Sequence, residues 1–142
     1  MSETICYTPV GFVENAFNEW TPVATLRAAP MRIVLDPQWA PGTLGLEPGQ
    51  WLLVIFHFHH ISEVRLQLHP HDDPQQPLRG VFATRTQYRP NPIGATVARL
   101  ERIEEERILH VRGLDALNGT PVLDIKPYVE SFDRPDEEAV RP

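Results

Sequence analysis

The sequence lacks several features that would assign it to a common class of protein. Cys6 is its only cysteine, so the 142 residues cannot form an intrachain disulfide or a four-thiolate zinc site, and a reducing compartment is expected. The longest apolar run, WLLVIF, is far shorter than the roughly 20 residues of a transmembrane helix. No basic-then-apolar signal segment opens the chain. We therefore expect a cytoplasmic protein without a membrane partner.

Several nucleotide-binding and catalytic motifs are also missing. The chain contains no G-x-G-x-x-G after a strand-like run, no G-x-x-x-x-G-K-[ST] and no G-x-S-x-G. The sequence therefore gives no support to a doubly wound dinucleotide site, a P-loop or the nucleophile elbow of a hydrolase.

Charge is unevenly distributed along the chain. The formal net charge of −6 argues weakly against a nucleic-acid partner, because phosphate binding depends on basic surface. Salt screens exposed charges beyond about 8 Å, however, so a local basic patch can act on its own. Acids crowd into residues 101–106 and 130–138. Between residues 79 and 99 every charged residue is an arginine, namely Arg79, Arg85, Arg89 and Arg99.

The distribution of prolines and apolar runs predicts a mainly β fold with only short helical turns. Fifteen prolines interrupt nearly every possible helix, and no long segment has a 3.6-residue apolar repeat. This spacing of short runs predicts a small barrel or sandwich. We expect one domain over residues 1–130 and a frayed acidic tail over residues 131–142. The predicted strands are 10–13, 31–35, 51–59, 64–68, 80–83, 95–103, 108–112 and 122–125.

The stretch FATRTQYRPNPIG predicts a rigid polar loop. Pro90 and Pro92 fix their own φ angles, and Pro92 also favours an extended Asn91. Asn91 thus presents an amide with little freedom, while Arg85 and Arg89 can bind a carboxylate or a phosphate. The alternative is a stiff turn whose arginines pair with the acidic hairpin.

The stretch GLDALNGTPVLDIKPY combines a turn signal with isolated charges. Asn118-Gly119 predicts a tight turn before a strand that carries Asp124. Lys126 is the only lysine beside twelve arginines, which indicates either a need for a compact ammonium or chance. Asp115 and Asp124 lie in apolar runs and are costly to bury unpaired. Either one of them pairs with Lys126, or a carboxylate faces a cationic ligand.

The stretch FHFHHISE keeps a metal-site hypothesis open. His57 and His59 share a face if the strand continues through them, and Glu63 completes the H-x-H-x3-E half of a cupin motif. The other half of that motif is absent. We expect histidines that contact polar groups or a ligand, with no metal, and retain a cupin-like metal protein as an alternative.

Two segments resemble the TsaA-like family, also called YaeB or TrmO. GVFATRTQYRPNPIG is similar to the family's GVFATRS and RPNPIG motifs, and NGTPVLDIKPY to its DGTPVLDIKPY motif. The resemblance implies a β-barrel distinct from Rossmann methyltransferases and S-adenosyl-L-methionine as cofactor. It implies methylation of threonylcarbamoyl-adenosine beside the anticodon of threonine tRNA. It further implies a homodimer with the cofactor near the subunit interface.

The resemblance also implies which residues form the site. Asn118 departs from the family's aspartate, Thr86 from its serine, and the N-terminal arm differs as well. A module that binds the cofactor without transferring methyl remains an alternative. The implied catalytic residues are Asp124, Lys126 and Asn91. The implied cofactor-binding residues are His59, His60, Arg85, Arg89, Pro92, Asp115, Asn118, Gly119, Thr120 and Tyr128.

These residue types suit methyl transfer from a sulfonium. Carboxylates and aromatic faces stabilise the cation, and Asp115 or Asp124 together with Tyr88 or Tyr128 can supply them. An exocyclic amine loses a proton as it is methylated. Asp124, His59 and a backbone carbonyl are the candidate acceptors for that proton.

Overall fold

The computed structural model of the protein describes residues 2–142. In this part of the chain the strands are β1 (Gly11–Glu14), β2 (Pro30–Leu35), β3 (Trp51–His57), β4 (Gln67–Leu68), β5 (Arg79–Gly80), β6 (Ile93–Glu104), β7 (Ile108–Arg112) and β8 (Pro121–Pro127). The α-helices are α1 (Val23–Ala28) and α2 (Glu130–Asp133), and the 3-10 helices are Pro37–Thr43, Pro70–Asp72 and Val81–Ala83.

Six of the strands close into an antiparallel barrel. Their order is β1-β2-β7-β6-β3-β8, and pairing of β8 with β1 closes the ring. In the centre of this sheet β3 pairs with β6 from Trp51↔Arg99 to His57↔Ile93. The short strands β4 and β5 form a separate two-stranded sheet. The mainly β, closed-barrel prediction is confirmed.

The barrel interior is filled by one face of each strand. On β3, alternation puts Leu52, Val54 and Phe56 inside, each exposed by 2% or less. Burial of such a side chain stabilises the fold by about 1.5–3 kcal/mol. Gly94 of β6 lies against Phe56, and a methyl group there would come within 2.5 Å of the ring. The glycine is therefore required for the two strands to approach with Phe56 inside.

Two strand predictions and the extent of helix differ from the structure. Only the last two residues of the predicted strand 64–68 are in a strand. In the predicted strand 80–83, β5 ends at Gly80 and a 3-10 turn follows, because burying Val81 leaves Phe82 80% exposed. Helix α1 was not predicted; its anchor is Leu26, which is 4% exposed.

The acidic hairpin predicted between two strands is present. Glu105 and Glu106 form the turn between β6 and β7, both with positive φ. Among residues 2–142 no helix is long and apolar enough to cross a membrane.

Candidate functional site

Arg89 holds the predicted rigid loop together from inside. Its Nη1 donates to the carbonyl oxygens of Thr84 at 2.8 Å and Thr86 at 3.1 Å. The loop is also tied to the end of β3, because Phe58 N donates to Pro92 O at 2.8 Å. Asn91 is exposed beside this bond. The side chain of Asn91 is thus available on a backbone fixed at both ends.

The arginines of the basic stretch do not pair with the acidic hairpin. Arg85 Nη2 donates to Ala95 O, and Arg99 lies 5.5 Å from the ring centre of Trp51. Within residues 2–142, no ion pair involves Arg79, Arg85, Arg89 or Arg99. The pairing alternative is therefore wrong: hairpin carboxylates instead contact barrel residues nearer to them, such as Glu104 with Arg32 at 3.6 Å.

The predicted turn before β8 is firmly anchored. Asp115 Oδ1 accepts a hydrogen bond from Thr96 Oγ1 of β6 at 2.6 Å, so this carboxylate is satisfied within the protein. Thr120 is 3% exposed and its hydroxyl donates to Leu117 O at 2.7 Å. Gly119 has a φ of +83°, a conformation that favours glycine. The turn therefore presents a defined backbone surface.

His59 lies on this turn. A methyl group built on Gly119 would be 3.7 Å from His59 Nε2, and the rings of His59 and His60 are centred 4.1 Å apart. Burial lowers the pKa of His59, as do the neighbouring His60 and His57, while a hydrogen bond with the backbone of Asn118 raises it. The net pKa lies below the ordinary value, so His59 is neutral at pH 7 and can accept a proton.

Asp124 and Lys126 form an ion pair on the outer face of β8. Lys126 Nζ lies 2.7 Å from Asp124 Oδ2, with the two side chains 60% and 50% exposed. The hydrogen bond that Lys126 donates to Asp124, together with the charge of that carboxylate, raises the pKa of Lys126. Of the two alternatives for the aspartates, the structure shows the pairing of one of them, Asp124, with Lys126. The same Asp124 lines a cavity of about 390 Å³ with Trp39, Leu46 and Pro127.

Tyr128 continues the outer edge beyond Lys126. Its backbone N donates to Trp51 O at 2.9 Å, and its hydroxyl donates to Glu130 Oε2 at 3.2 Å. Desolvation, followed by the charge of Glu130, raises the pKa of the Tyr128 hydroxyl. Tyr128 therefore lies at the start of β3, while His59 follows its end.

The predicted site residues thus fall into two groups within one chain. Lys126 is opposite Leu53, and His57 lies four residues farther along β3, about 13 Å away at 3.3 Å per residue. We call Asp124, Lys126 and Tyr128 the lysine end. We call the remaining predicted residues the histidine end: His59, His60, Arg85, Arg89, Asn91, Pro92, Asp115, Asn118, Gly119 and Thr120. Arg85 and Asp115 bond to Ala95 and Thr96 of β6, which pair with Ile55 and Val54 in the middle of β3. Asp124 is opposite Ile55, two residues from His57.

The cupin-like metal site is not formed. Strand β3 ends at His57, so His59 does not share a strand face with it, and Glu63 pairs with Arg65. In residues 2–142 no group of three histidine, cysteine, aspartate or glutamate side chains is placed to hold a metal ion. The hypothesis of a metal held by His57, His59 and Glu63 is therefore wrong.

Two residues that contact the histidine end escaped sequence analysis. Thr96 is the partner of Asp115, but an isolated threonine on a strand carries no signal for that role. Asn15 donates to Ala116 O at 2.9 Å and accepts from Phe17 N at 2.8 Å. The local bond to Phe17 is an Asx turn, so the Asn-x-Phe spacing after a predicted strand was an available signal.

Comparison with known proteins identifies relatives over nearly the whole chain. Residues 18–134 match the tRNA-methyltransferase O N-terminal domain. A probable S-adenosyl-L-methionine-binding protein of Pyrococcus horikoshii is 37% identical over 139 residues, which cover 95% of this chain and 90% of that protein. The human tRNA (adenine(37)-N6)-methyltransferase is 36% identical over 140 residues, covering 89% of this chain and 31% of the human protein.

A solved structure has the same fold. The crystal structure of TrmO from Pseudomonas aeruginosa matches with a TM-score of 0.72 and 34% sequence identity, over 95% of this chain. This chain spans 60% of the length of that one. The family match, the identities and the shared barrel agree with the motif resemblance, and the chain belongs to the tRNA-methyltransferase O family.

Proposed function

We propose that this protein is an S-adenosyl-L-methionine-dependent tRNA methyltransferase that acts on adenine 37. We also propose that its substrate is threonylcarbamoyl-adenosine in threonine tRNA, methylated on the exocyclic amine. Family membership supports the reaction class, and the name of the human relative supports the position. The motifs RPNPIG and NGTPVLDIKPY support the finer substrate. The observation that carries the proposal is the position of His59 against the Asn118-Gly119 turn, directly after Phe58, whose backbone N donates to Pro92 O of the rigid loop.

The residues of the histidine end fit a nucleoside-containing cofactor. Gly119 leaves free the space in front of His59 that a larger side chain would fill. Asn91 offers an amide donor and acceptor on a rigid backbone, which suits the edge of an adenine. When bound, S-adenosyl-L-methionine supplies the electrophilic methyl group. Arg85 and Arg89 shape the loop through carbonyl contacts.

Alignment of the reactants accounts for most of the expected rate enhancement. Holding two groups in reacting geometry is equivalent to effective molarities of roughly 10⁵ M or more. The fixed loop and turn of the histidine end provide such a rigid frame. The amine proton must leave during the reaction, and His59 is our preferred acceptor because its lowered pKa keeps it neutral. Asp124 is the alternative acceptor, and Lys126 holds its charge in place.

We propose that the active form is a homodimer in which both ends contribute to each site. Lys126 lies too far along the sheet from His59 to act beside it in the same chain. In this dimer one protomer's lysine end lies against its partner's histidine end, and the two-fold axis makes this contact occur twice, which gives two composite sites. This arrangement puts the cofactor near the interface.

We further propose where the protein acts and how the chain is divided. The cytoplasm is the proposed compartment, without a membrane partner, because tRNA is the proposed substrate. Residues 1–130 are the proposed domain and residues 131–142 the proposed tail. A module that binds the cofactor without catalysis is the competing function, favoured by the name of the Pyrococcus horikoshii relative.

Labelled cofactor distinguishes these functions. The purified protein is incubated with methyl-labelled S-adenosyl-L-methionine and with threonine tRNA that carries or lacks the threonylcarbamoyl group. Our proposal predicts label in one nucleoside, identified by mass spectrometry as the methylated threonylcarbamoyl-adenosine, and none in the unmodified tRNA. Equal labelling of both tRNAs would exclude the finer substrate. Cofactor binding in calorimetry without labelling of any RNA would favour the binding module.

A further inference from the structure

The segment after β1 is held against the turn that carries His59. Val13 N donates to Thr120 O at 2.9 Å, and Gly119 N donates to Val13 O at 2.8 Å. Residues 15–18, which we call the arm, then cross the outside of the turn. Main-chain bonds alone therefore fix where the arm begins.

Asn15 is the residue that joins the arm to the turn most extensively. Its backbone N donates to Asn118 Oδ1 at 3.0 Å, and its Nδ2 donates to Ala116 O at 2.9 Å. Its Oδ1 accepts from Phe17 N at 2.8 Å, and Phe17 O accepts from Asn118 N at 2.7 Å. The side chain is half-buried, so these bonds are partly shielded from competing water.

Asn118 connects the arm to the surroundings of His59. Its side chain is engaged by the arm on both sides, because Asn118 Nδ2 also donates to Asn18 Oδ1 at 2.9 Å. The turn lies beside His59, because a methyl group built on the adjacent Gly119 would be 3.7 Å from Nε2 of that ring. The backbone of Asn118 raises the pKa of the same imidazole. A displacement of the turn therefore changes the surroundings of His59 directly.

We propose that Asn15 is a positioning residue that holds His59 in place through the Asn118-Gly119 turn. The inference rests on the proposed function, because it assumes that His59 serves the methyl-transfer site. Asn15 touches no reacting group itself. Its role is to keep the Asn118 backbone within reach of the imidazole while the cofactor is bound.

The test compares three full-length variants. Asn15→Ala removes all three contacts of the amide, with Ala116 O, Phe17 N and Met31 Sδ. Asn15→Ser keeps a hydroxyl for the local bond to Phe17 N but cannot reach Ala116 O. Asn18→Ala is the matched control, since it removes an exposed amide contact to the same turn. Thermal unfolding first establishes which variants fold, and Asn15→Ser is the deciding variant if Asn15→Ala does not.

Two measurements then decide the proposal. Cofactor affinity, measured by calorimetry, should fall about tenfold in Asn15→Ser and remain unchanged in Asn18→Ala. The titration midpoint of His59, followed by NMR, should move to lower pH, because the hydrogen bond with Asn118 raises that pKa. His57 and His60 are the titrating groups that face His59.

Either of two results would overturn the proposal. One is a folded Asn15→Ser whose cofactor affinity and His59 midpoint both equal those of the wild type. The other is an equal change in Asn18→Ala, which would mean that the arm as a whole matters and Asn15 does not. The His59 titration needs no RNA and no turnover, so it decides the proposal even if the protein methylates no tRNA.

Discussion

The histidine end and the lysine end differ in how their side chains are held. At the histidine end, polar side chains are bonded to other groups of the protein: Arg89 donates to the Thr84 carbonyl oxygen, and Asp115 accepts from the Thr96 hydroxyl. At the lysine end, Asp124 and Lys126 pair with each other and are at least half exposed. One end is thus a rigid frame, and the other is a pair of charges in solvent.

This difference teaches how a composite site can be divided between two protomers. A frame must be accurate before a ligand arrives, so it needs many internal bonds. A charged pair can remain adjustable until a partner surface covers it, because its attraction strengthens as water is removed. The histidine end is therefore expected to set geometry, and the lysine end to complete the electrostatics. The predictions below test that division.

The largest effect is expected when a proposed reacting group is removed from either end in both protomers. His59→Ala and Lys126→Ala should each lower kcat about a hundredfold or more as homodimers, because each removes a proposed group for proton or charge handling. Co-expression with two tags allows the mixed dimer to be isolated. That dimer should recover about half of the wild-type activity, since one of its two composite sites is intact.

The activity of the mixed dimer can also contradict the proposal that each site is divided between two protomers. If each site is built within one chain, both sites of the mixed dimer carry a defect and no activity returns. Size-exclusion chromatography of the wild type provides the control, because the experiment presupposes a dimer. A monomer that methylates tRNA at full rate would refute the composite site.

The frame should be sensitive to a single added methyl group. Gly94→Ala places a carbon 2.5 Å from the Phe56 ring and 2.9 Å from the Phe58 ring, next to the segment that leads to His59. We expect a loss of about 1–3 kcal/mol in the free energy of unfolding. Gly80→Ala is the control, because its methyl group meets nothing closer than 3.9 Å. Equal stability of the two variants in chemical denaturation would contradict the tight packing.

Much of the fold could be predicted from the sequence because its signals are local. Proline spacing and short alternating runs depend only on neighbouring residues, and they predicted a small barrel or sandwich. The motif resemblance implied the barrel that the structure has. The pairing of Asp124 with Lys126 is equally local, since residues two apart on a strand share a face. The Asn118-Gly119 turn followed from its dipeptide alone.

The parts that failed depend on contacts between distant segments. The separation of Lys126 from His59 is set by the register of β3 against β8, and no residue type encodes that register. Asn15 meets Asn118 across 103 positions of sequence. The pairing of loop arginines with hairpin acids was wrong because carbonyl oxygens within the loop were nearer, as Arg89 shows.

A conservative change in the frame should have a moderate effect. Arg89→Lys replaces a planar fork that spans two carbonyl oxygens with a single ammonium, so the loop loses part of its support. We expect cofactor affinity to fall about threefold to tenfold in calorimetry. Arg79→Lys is the matched control on the exposed strand β5. A loss of the same size in the control would mean that general positive charge matters and not the loop.

The pH dependence of the histidine end should respond to His60. The pKa of His59 lies below its ordinary value, so activity that needs neutral His59 falls only as pH drops through that lowered pKa. His60→Ala removes one cause of the lowering, so the His59 midpoint and the acidic limb of kcat/KM should move to higher pH. NMR titration measures the His59 midpoint, and kinetics at a series of pH values measures the acidic limb of kcat/KM. His69→Ala is the control, because His69 lies away from His59 in the sequence and is not among the groups that shift its pKa. A midpoint that stays in place would contradict the coupling.

The same lowered pKa links His59 to stability. The unfolded chain binds this proton more readily than the folded one, so His59 contributes stability at neutral pH that is lost as pH falls through its folded pKa. In His60→Ala the folded-state pKa of His59 is lowered less than in the wild type. The free energy of unfolding of this variant should therefore decrease less at acidic pH than that of the wild type. Thermal unfolding at a series of pH values measures the difference.

The smallest effect, on the free energy of unfolding, is expected from replacing one aspartate at each end, Asp115 at the histidine end and Asp124 at the lysine end. Asp115→Ala removes the half-buried acceptor of the Thr96 hydroxyl and should cost about 1 kcal/mol of unfolding free energy. Asp124→Ala breaks an exposed pair that salt already screens, so its melting temperature should equal that of the wild type. The pKa of Lys126 should nevertheless fall in Asp124→Ala, because the aspartate raises it. NMR titration of the lysine carbon next to Nζ measures the change in the Lys126 pKa. A clear loss of stability in Asp124→Ala would contradict the division, because it would show that the lysine end is held as rigidly as the histidine end.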